Sequence, residues 1–239
     1  MAGESRRFTQ ANFTQPKWSL LINDKPVIYW AIQFLIPLLS DECKIVFGVK
    51  KDFRYLLTKI FPEIKDLGEI FEINEATKGQ AHTVSIMTAS INAENSLMVW
   101  NCDSYIYPGM SIYLSRLDNF LLCAALEGEH WSFVRSTPQG EVLETAEKIK
   151  ISNMASLGLY SFSSVKIFQN AFLHQSIRFP KQELYVAPLY NEILRLEMVS
   201  KIEIHPSLFI PFGTPQEFVY AKDRISKGII RLQQATDLR

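Results

Sequence analysis

The sequence predicts a mixed α/β fold with a Rossmann-like, mostly parallel sheet flanked by helices and interrupted by an antiparallel strand excursion. Two observations favour this class. Up to residue 103, apolar strand-like runs alternate with helix-like segments, which is typical of a parallel sheet covered on both faces. Beyond that point strand-like segments follow one another directly, and the turn Pro138-Gln139-Gly140 separates two of them, as in an antiparallel excursion.

In the first part of the chain, strands are short apolar runs and helices are longer segments. Residues 26–39 are mostly apolar over a helical length, and Asp24 is a candidate cap ahead of Pro26. Further helices are predicted at residues 51–60 and 79–91, and strands at residues 44–49, 69–73 and 96–100.

In the second part, strands precede helices. Thr214 is the expected cap of the last helix, with Pro215 at its first position. The predicted strands are residues 121–126, 131–136, 141–150, 157–162 and 201–205, and the predicted helices are residues 164–174, 187–199 and 215–234. We expect residues 1–239 to form a single domain.

Composition excludes several classes of protein. Lys+Arg and Asp+Glu are equal at 25 each, so the charge predicts neither a nucleic-acid-binding surface nor a polybasic membrane surface. The three cysteines are far apart and form no CxxC motif, which predicts neither disulfides nor a zinc site. The apolar run 27–39 is too short to span a bilayer, and no signal peptide is visible. We therefore expect a cytoplasmic protein.

The opening MAGESRRF, followed by Pro16-Lys17, is the first group of residues with possible chemistry. A small, glycine-containing turn lets backbone N–H groups approach a triphosphate, while Arg7 and Lys17 supply positive charge to its oxygens. Phosphoryl and nucleotidyl transfer require such charge neutralisation. The alternative is that this segment is only a solvated tail.

The second group is Asn101-Cys102-Asp103-Ser104, directly after a predicted strand. Ligands of open α/β sheets lie beyond the carboxyl ends of the strands, where Asp103 would project. A carboxylate there can hold Mg²⁺, which bridges phosphate oxygens. The alternative is that Asp103 caps the following turn.

The third group is Thr77-Lys78-Gly79-Gln80-Ala81, at the start of a predicted helix. Small residues there let a flat base lie against the backbone, and Gln80 could read a base edge. The alternative is an ordinary helix start with Thr77 as cap.

Taken in order, these motifs resemble the sugar-phosphate nucleotidyltransferases (nucleoside-diphosphate-sugar pyrophosphorylases), and most of all the bacterial branch of capsule and surface-polysaccharide loci. The resemblance covers nearly the whole chain, and the joint order is specific although each piece alone is not. It implies a GT-A-like nucleotidyltransferase fold. The matching stretches are MAGESRRF, Pro16-Lys17, TKGQAHTV at 77–84, NCDSYI at 101–106, AEKIKISNMASLGLYSF at 146–162, APLYNEIL at 187–194 and FGTPQEF at 212–218.

The resemblance also implies roles for individual residues. Arg7 matches the arginine that stabilises the leaving pyrophosphate, Lys17 the lysine on the reacting phosphates, and Asp103 the metal-binding aspartate. The remaining implied contacts are a phosphate-binding turn at Gly3, Glu4 and Ser5, base recognition at Gly79 and Gln80, and acceptor binding at Lys148 and Gly158.

Three departures from the family pattern stand out. The family has an apolar strand before the MAG turn, whereas here Met1 opens the turn, so the first core strand is expected to be missing, either because the start is misplaced or truncated or because the sheet lacks that strand. Arg6 replaces a small Ser or Thr beside the catalytic arginine. Pro211 stands where the family has an acidic residue, two places before Gly213.

The leading hypothesis is an Mg²⁺-dependent enzyme that joins an NTP, with CTP favoured, to a sugar phosphate or another small phosphorylated acceptor and releases pyrophosphate, for surface-polysaccharide precursors. A homo-oligomer is left open. The first alternative is a catalytically degenerate nucleotide- or sugar-phosphate-binding protein, in keeping with the missing strand and Pro211. A glycosyltransferase of related topology is disfavoured, because Asp103-Ser104-Tyr105 lacks two acids separated by one residue.

Overall fold

The computed structural model of the protein describes residues 1, 3, 5–40, 42–114 and 119–238. Its α-helices are α1 (Arg6–Gln10), α2 (Val27–Ile32), α3 (Arg54–Ile60), α4 (Ile64–Leu67), α5 (Gln80–Thr88), α6 (Val165–Arg178), α7 (Tyr190–Ile193) and α8 (Pro215–Ser226). Its β-strands are β1 (Leu21–Ile22), β2 (Lys25–Pro26), β3 (Ile45–Lys50), β4 (Gly68–Ile73), β5 (Leu97–Trp100), β6 (Ser104–Ile106), β7 (Phe120–Ala125), β8 (Ser132–Ser136), β9 (Val142–Glu147), β10 (Met154–Phe162), β11 (Ser200–Glu203) and β12 (Phe209–Pro211).

The chain divides into two compact units whose segments alternate along the sequence. The first unit consists of Met1–Ala76, Asn101–Arg116 and Ser207–Arg239, and the second of Thr77–Trp100 and Leu117–Pro206. The single domain over residues 1–239, with its first core strand missing, stays a prediction.

The second unit is built on a mixed sheet with strand order β11-β7-β10-β8-β9, in which β5 also pairs with β10. The long strand β10 runs antiparallel to β5, β7 and β8, whereas β11 lies parallel to β7. The predicted mixed α/β class is confirmed. Contrary to the expectation, the pairing in this sheet is not mostly parallel. Strand β10 lies between β5 and β7 and runs opposite to both, so its pairings with them are antiparallel.

Helix α6 and the segment around α7 supply the apolar side chains that cover this sheet. Phe168 of α6 packs edge-on against Phe162 of β10, with ring centroids 5.2 Å apart. Tyr190 is fully buried, stacks on Phe162, and places its hydroxyl 2.6 Å from the Ser161 carbonyl oxygen. This bond satisfies a polar group that would be costly to bury unpaired.

The first unit contains a parallel pair, β3 with β4, and an antiparallel pair, β6 with β12. One apolar cluster joins Phe8, Trp30 and Tyr105 to Phe212 and Phe218. A second cluster packs Trp18 and α2 against β3 and α3. Buried aromatic groups thus fix the elements that carry Arg7 and Lys17 and the strand that follows Asp103.

Three predicted helices are shorter than expected. Residues 26–39 form a helix only as far as Ile32, because Pro37 has no N–H to donate and its ring excludes a helical turn before it. The last helix ends at Ser226 before Gly228, whose φ is +69°. In the third, α7 ends at Ile193, and Leu196 beyond it is 85% exposed.

Helix α1 is absent from the sequence-based prediction, since five residues give too little periodicity to detect. The predicted cap Thr214 and first-turn Pro215 of α8 are confirmed. Within the described ranges, no helix combines the length and apolar character needed to cross a membrane.

Candidate active site

In the first unit, Lys17 and Asp103 form an ion pair across 86 positions of sequence, with the Lys17 ammonium donating to Oδ2 of Asp103. The Lys17 side chain is 26% exposed and that of Asp103 12%. Both were predicted as site residues from separate motifs, and the fold brings them into contact. The alternative in which Asp103 serves only as a turn cap does not account for this ion pair.

Arg7 and Lys17 each precede an aromatic side chain that is buried. Phe8 holds α1 by packing edge-on against Phe13, with ring centroids 5.2 Å apart. Trp18 is 2% exposed and packs against Phe53. Because their neighbours are anchored in the core, the backbones of Arg7 and Lys17 are fixed although Arg7 itself is exposed.

The electrostatic environment keeps Lys17 charged. Burial lowers the pKa of its ammonium, but the Asp103 carboxylate and the Cys102 side chain together raise that pKa by more, so it lies above its ordinary value. Arg7 acts in the opposite sense, since its positive charge lowers the pKa of Lys17 slightly. Two cations and one carboxylate therefore influence one another in this unit.

Gly213 lies directly against the Asp103 carboxylate. A Cβ at Gly213 would stand 3.2 Å from Oδ2 of Asp103 and 3.5 Å from Oε2 of Glu217. Glu217 is held there by a capping box, in which its carboxylate accepts from the Thr214 N–H at 2.8 Å. A second acidic group thus accompanies Asp103, even though Pro211 stands at the expected acidic position.

Pro211 pairs with Ser104, the residue next to Asp103, in the β6–β12 ladder. Neither β6 nor β12 was predicted from the sequence, and Glu217 was missed as well. The signal that could have found it is the spacing Thr214-x-x-Glu217, which is the pattern of a capping box. Among the described residues, no three His, Cys, Asp or Glu side chains form a group that could hold a metal ion.

The predicted phosphate-binding turn lies at the start of the same unit. Gly3 is exposed, with no atom within 4 Å of where a Cβ would stand. Ser5 adopts a left-handed conformation with φ of 50° and begins α1, where its carbonyl oxygen accepts from the Phe8 N–H at 2.8 Å. Glu4, the third predicted member, lies outside the described residues.

In the second unit, Gly79 and Gln80 form the start of α5. Gly79 has a φ of +113°, and Gln80 is the first helical residue and is partly buried. The backbone of Leu184 donates to the Lys78 carbonyl oxygen at 2.6 Å and accepts from the Ala81 N–H at 3.0 Å. The alternative with Thr77 as helix cap is wrong, because Gly79 occupies that position and the Thr77 hydroxyl pairs with Thr83.

Gly79→Ala is expected to destabilise the protein by about 3 kcal/mol, because the left-handed φ strains any other residue and the new Cβ would meet the Leu184 carbonyl oxygen at 2.5 Å. Thermal unfolding followed by circular dichroism should show a midpoint lower by roughly 6–12 °C. Gly228→Ala is the matched control, since its φ is +69° but nothing lies within 4 Å. Equal losses in both variants would mean that segment 183–184 does not pack on Gly79.

The two predicted acceptor-binding residues also lie in this unit. Lys148 follows β9, has a φ of +55°, and donates its ammonium to the Tyr185 hydroxyl at 2.6 Å. Gly158 is a buried residue of β10 with a φ of +87°, where the register of the β10–β7 ladder shifts. A bulge with a left-handed residue requires glycine, so this position is fixed by backbone geometry.

No protein-family model matches the sequence, and no curated protein matches it. Among solved structures, the nucleoside-diphosphate-sugar pyrophosphorylase from Vibrio cholerae RC9 superposes with a TM-score of 0.79 and 26% identity, over 93% of this chain and 98% of that one.

Two further solved structures share the fold at lower identity. The inositol-1-phosphate CTP transferase from T. maritima has a TM-score of 0.75 and 15% identity, over 95% of this chain and 94% of that one. The CTP:phosphocholine cytidylyltransferase from Streptococcus pneumoniae has a TM-score of 0.69 and 14% identity, over 94% and 96%. All three cover nearly the full length of both chains.

Proposed function

The chain is a sugar-phosphate nucleotidyltransferase in its fold and in the order of its motifs, and from this premise we propose that it joins a nucleoside triphosphate to a small phosphorylated acceptor and releases pyrophosphate. The observation on which the proposal depends most is the contact of Lys17 with Asp103 in the first unit. A lysine can bind the oxygens of a phosphate, and a carboxylate beside it can bind the metal cation that accompanies that phosphate.

In the proposed reaction, a phosphate oxygen of the acceptor forms a bond to the α-phosphorus of the nucleotide. The bond between that phosphorus and the oxygen bridging to the β-phosphate breaks, and pyrophosphate leaves with the electron pair. Lys17 binds the reacting phosphates and Arg7 the departing pyrophosphate, so negative charge is neutralised as it moves. Gly79 and Gln80 recognise the base, and Lys148 binds the acceptor phosphate.

The residues of the first unit fit Mg²⁺. This ion is commonly held by one or two carboxylates together with substrate phosphates, and Asp103 with the nearby Glu217 offers such oxygens. Asp103 would hold the ion directly. When bound, Mg²⁺ supplies positive charge to the phosphate oxygens. Lys17 donates to the Asp103 carboxylate, and this contact orients the side chain that would hold the ion.

We favour CTP as donor and a role in surface-polysaccharide precursors. The likeness of the motifs to the capsule branch supports both, and two solved neighbours are described as using CTP. The acceptor is a sugar phosphate or another small phosphate ester. The Vibrio cholerae neighbour, described as a nucleoside-diphosphate-sugar pyrophosphorylase, supports the sugar phosphate.

The proposal is tested by incubating the protein with each of the four common NTPs, Mg²⁺ and a panel of sugar 1-phosphates and other phosphate esters. Pyrophosphate release is followed by a coupled assay and the product by mass spectrometry. We expect release only when NTP and acceptor are both present, and most with CTP. Nucleotide binding without release for any acceptor would instead favour a degenerate binding protein, the alternative in keeping with Pro211.

A further inference from the structure

Lys148 is held in an unusual position by contacts on both sides. Its left-handed backbone is disfavoured for a lysine, and its N–H donates to the Trp131 carbonyl oxygen at 2.9 Å. Its ammonium lies 4.5 Å from the centre of the Tyr185 ring while donating to the hydroxyl of that residue. A backbone strained in this way persists only where its surroundings fix it, so Lys148 is not an ordinary surface lysine.

Tyr185 is itself oriented by a carboxylate. Its hydroxyl donates to Oε2 of Glu183, which leaves the phenol oxygen to accept from Lys148. Glu147 lies 3.5 Å from the same ammonium, on β9, and accepts from the Ser132 hydroxyl. The Lys148 ammonium is therefore hydrogen-bonded to the neutral phenol of Tyr185. The Glu183 carboxylate bonds that phenol, and the Glu147 carboxylate lies beside the ammonium.

This arrangement keeps an ammonium donor for a ligand. A lysine has three N–H donors, of which one bonds the Tyr185 hydroxyl and a second can serve the 3.5 Å ion pair with Glu147, so a third is left for a ligand. The Tyr185 phenol fixes the direction of the ammonium at 2.6 Å without carrying a charge, and the Glu147 carboxylate, at 3.5 Å, makes the longer and weaker of the two contacts. The geometry is thus one that presents Lys148 to an anion.

The segment that holds Lys148 also contacts the start of α5. Leu184, between Glu183 and Tyr185, makes both backbone hydrogen bonds to the 78–81 turn. A Cβ at Gly79 would lie 2.9 Å from Cγ of Glu183, so the Glu183 side chain passes directly over this glycine. One three-residue segment therefore touches both the predicted base-binding turn and the predicted acceptor lysine.

We infer that Tyr185 and Glu183 are positioning residues that hold Lys148 towards the phosphate of the acceptor, and that their segment links this lysine to the Gly79–Gln80 turn. The inference rests on the proposed function for the identity of the anion. The hydrogen bond and the ring contact between Lys148 and Tyr185 both lie within the chain, so they can be tested without any substrate.

The first test is Tyr185→Phe, which keeps the ring and removes only the hydroxyl. We expect KM for the phosphorylated acceptor to rise at least about tenfold, as for the loss of one hydrogen bond to a charged group, with KM for the nucleotide within twofold. Glu183→Gln, which retains an oxygen for the phenol, should restore most of the affinity that Glu183→Ala loses. Tyr220→Phe on α8, 62% exposed, is the matched control and should change neither constant.

The second test needs no turnover. Burial lowers the pKa of Lys148, but the Tyr185 hydrogen bond and nearby charges raise it by more, so Tyr185→Phe should lower that pKa and enlarge the reactive neutral fraction. Competitive acetylation read by mass spectrometry should show Lys148 reacting several-fold faster in the variant. The exposed Lys166 serves as an internal reference in the same sample.

The two tests separate the inference from the proposed function. An unchanged acetylation rate of Lys148 overturns the positioning role, whatever the activity. Faster acetylation with an unchanged acceptor KM also overturns it, because the lysine would then be held but not for the acceptor. Faster acetylation in a protein that releases no pyrophosphate with any acceptor supports the hold on Lys148 and instead contradicts the proposed reaction.

Discussion

Asp103→Asn is expected to reduce pyrophosphate release by at least about a thousandfold. The amide keeps the size of the side chain but loses the negative charge that would hold Mg²⁺ against the triphosphate. It also ends the ion pair with Lys17, which leaves that ammonium without its counter-charge in a largely buried position. Steady-state pyrophosphate release with saturating NTP, Mg²⁺ and acceptor measures the effect.

The matched control is Asp223→Asn on α8. Asp223 also pairs with a lysine, Lys227, at 2.8 Å, but both side chains are more than half exposed. Exposed pairs contribute little, so activity and melting temperature should stay as in the unaltered protein. Near-normal activity of Asp103→Asn would show that Asp103 is only structural and that the magnesium proposal fails.

Lys17→Ala is expected to lower kcat by roughly a hundred- to a thousandfold, since one cation on the reacting phosphates is removed. It should cost about 1–3 kcal/mol of stability as well, because Asp103 is left unpaired. The cost is less than for a fully buried pair, as Lys17 is 26% exposed. Turnover and thermal unfolding are both needed, so that lost activity is not mistaken for lost protein.

Two further variants complete this experiment. Lys227→Ala removes an exposed lysine from a comparable pair and should leave both measurements unchanged. Lys17→Arg retains the charge, and should recover most of the stability but only part of the turnover, because a planar guanidinium does not place its donors as an ammonium does. Full activity in Lys17→Ala would remove Lys17 from the proposed mechanism.

Most of the fold could be predicted from local patterns. Short apolar runs such as residues 44–49 and 96–100 are strands β3 and β5, and the Thr214-Pro215 start of α8 follows from capping chemistry alone. The pairing of β10 could not be predicted, because alternation of apolar residues says which face is buried but not which neighbours a strand has. Mostly parallel pairing was expected from the alternation of strands with helices up to residue 103.

The candidate site, like the fold, could be predicted only in part. Lys17 and Asp103 were named from separate motifs, but nothing local indicates that a loop and a strand end 86 positions apart form an ion pair. Glu217 was missed because it does not stand where the family has its acidic residue. Its closeness to Gly213 and Asp103 depends on the placement of α8, which local sequence patterns do not give. Tyr185 was missed because its role depends on the left-handed turn at Lys148.

The alternation of the two units along the chain has a consequence for how the protein folds. Strand β6, at Ser104–Ile106, acquires its partner β12 only when Phe209–Pro211 has been synthesised. The backbone of Asp103 is likewise held only once the Phe212 N–H donates to its carbonyl oxygen, at 2.8 Å. Such distant contacts slow folding, because a long loop must close before they form. During synthesis the first unit therefore stays unfinished while the whole second unit is produced, and neither can be expressed as one uninterrupted fragment.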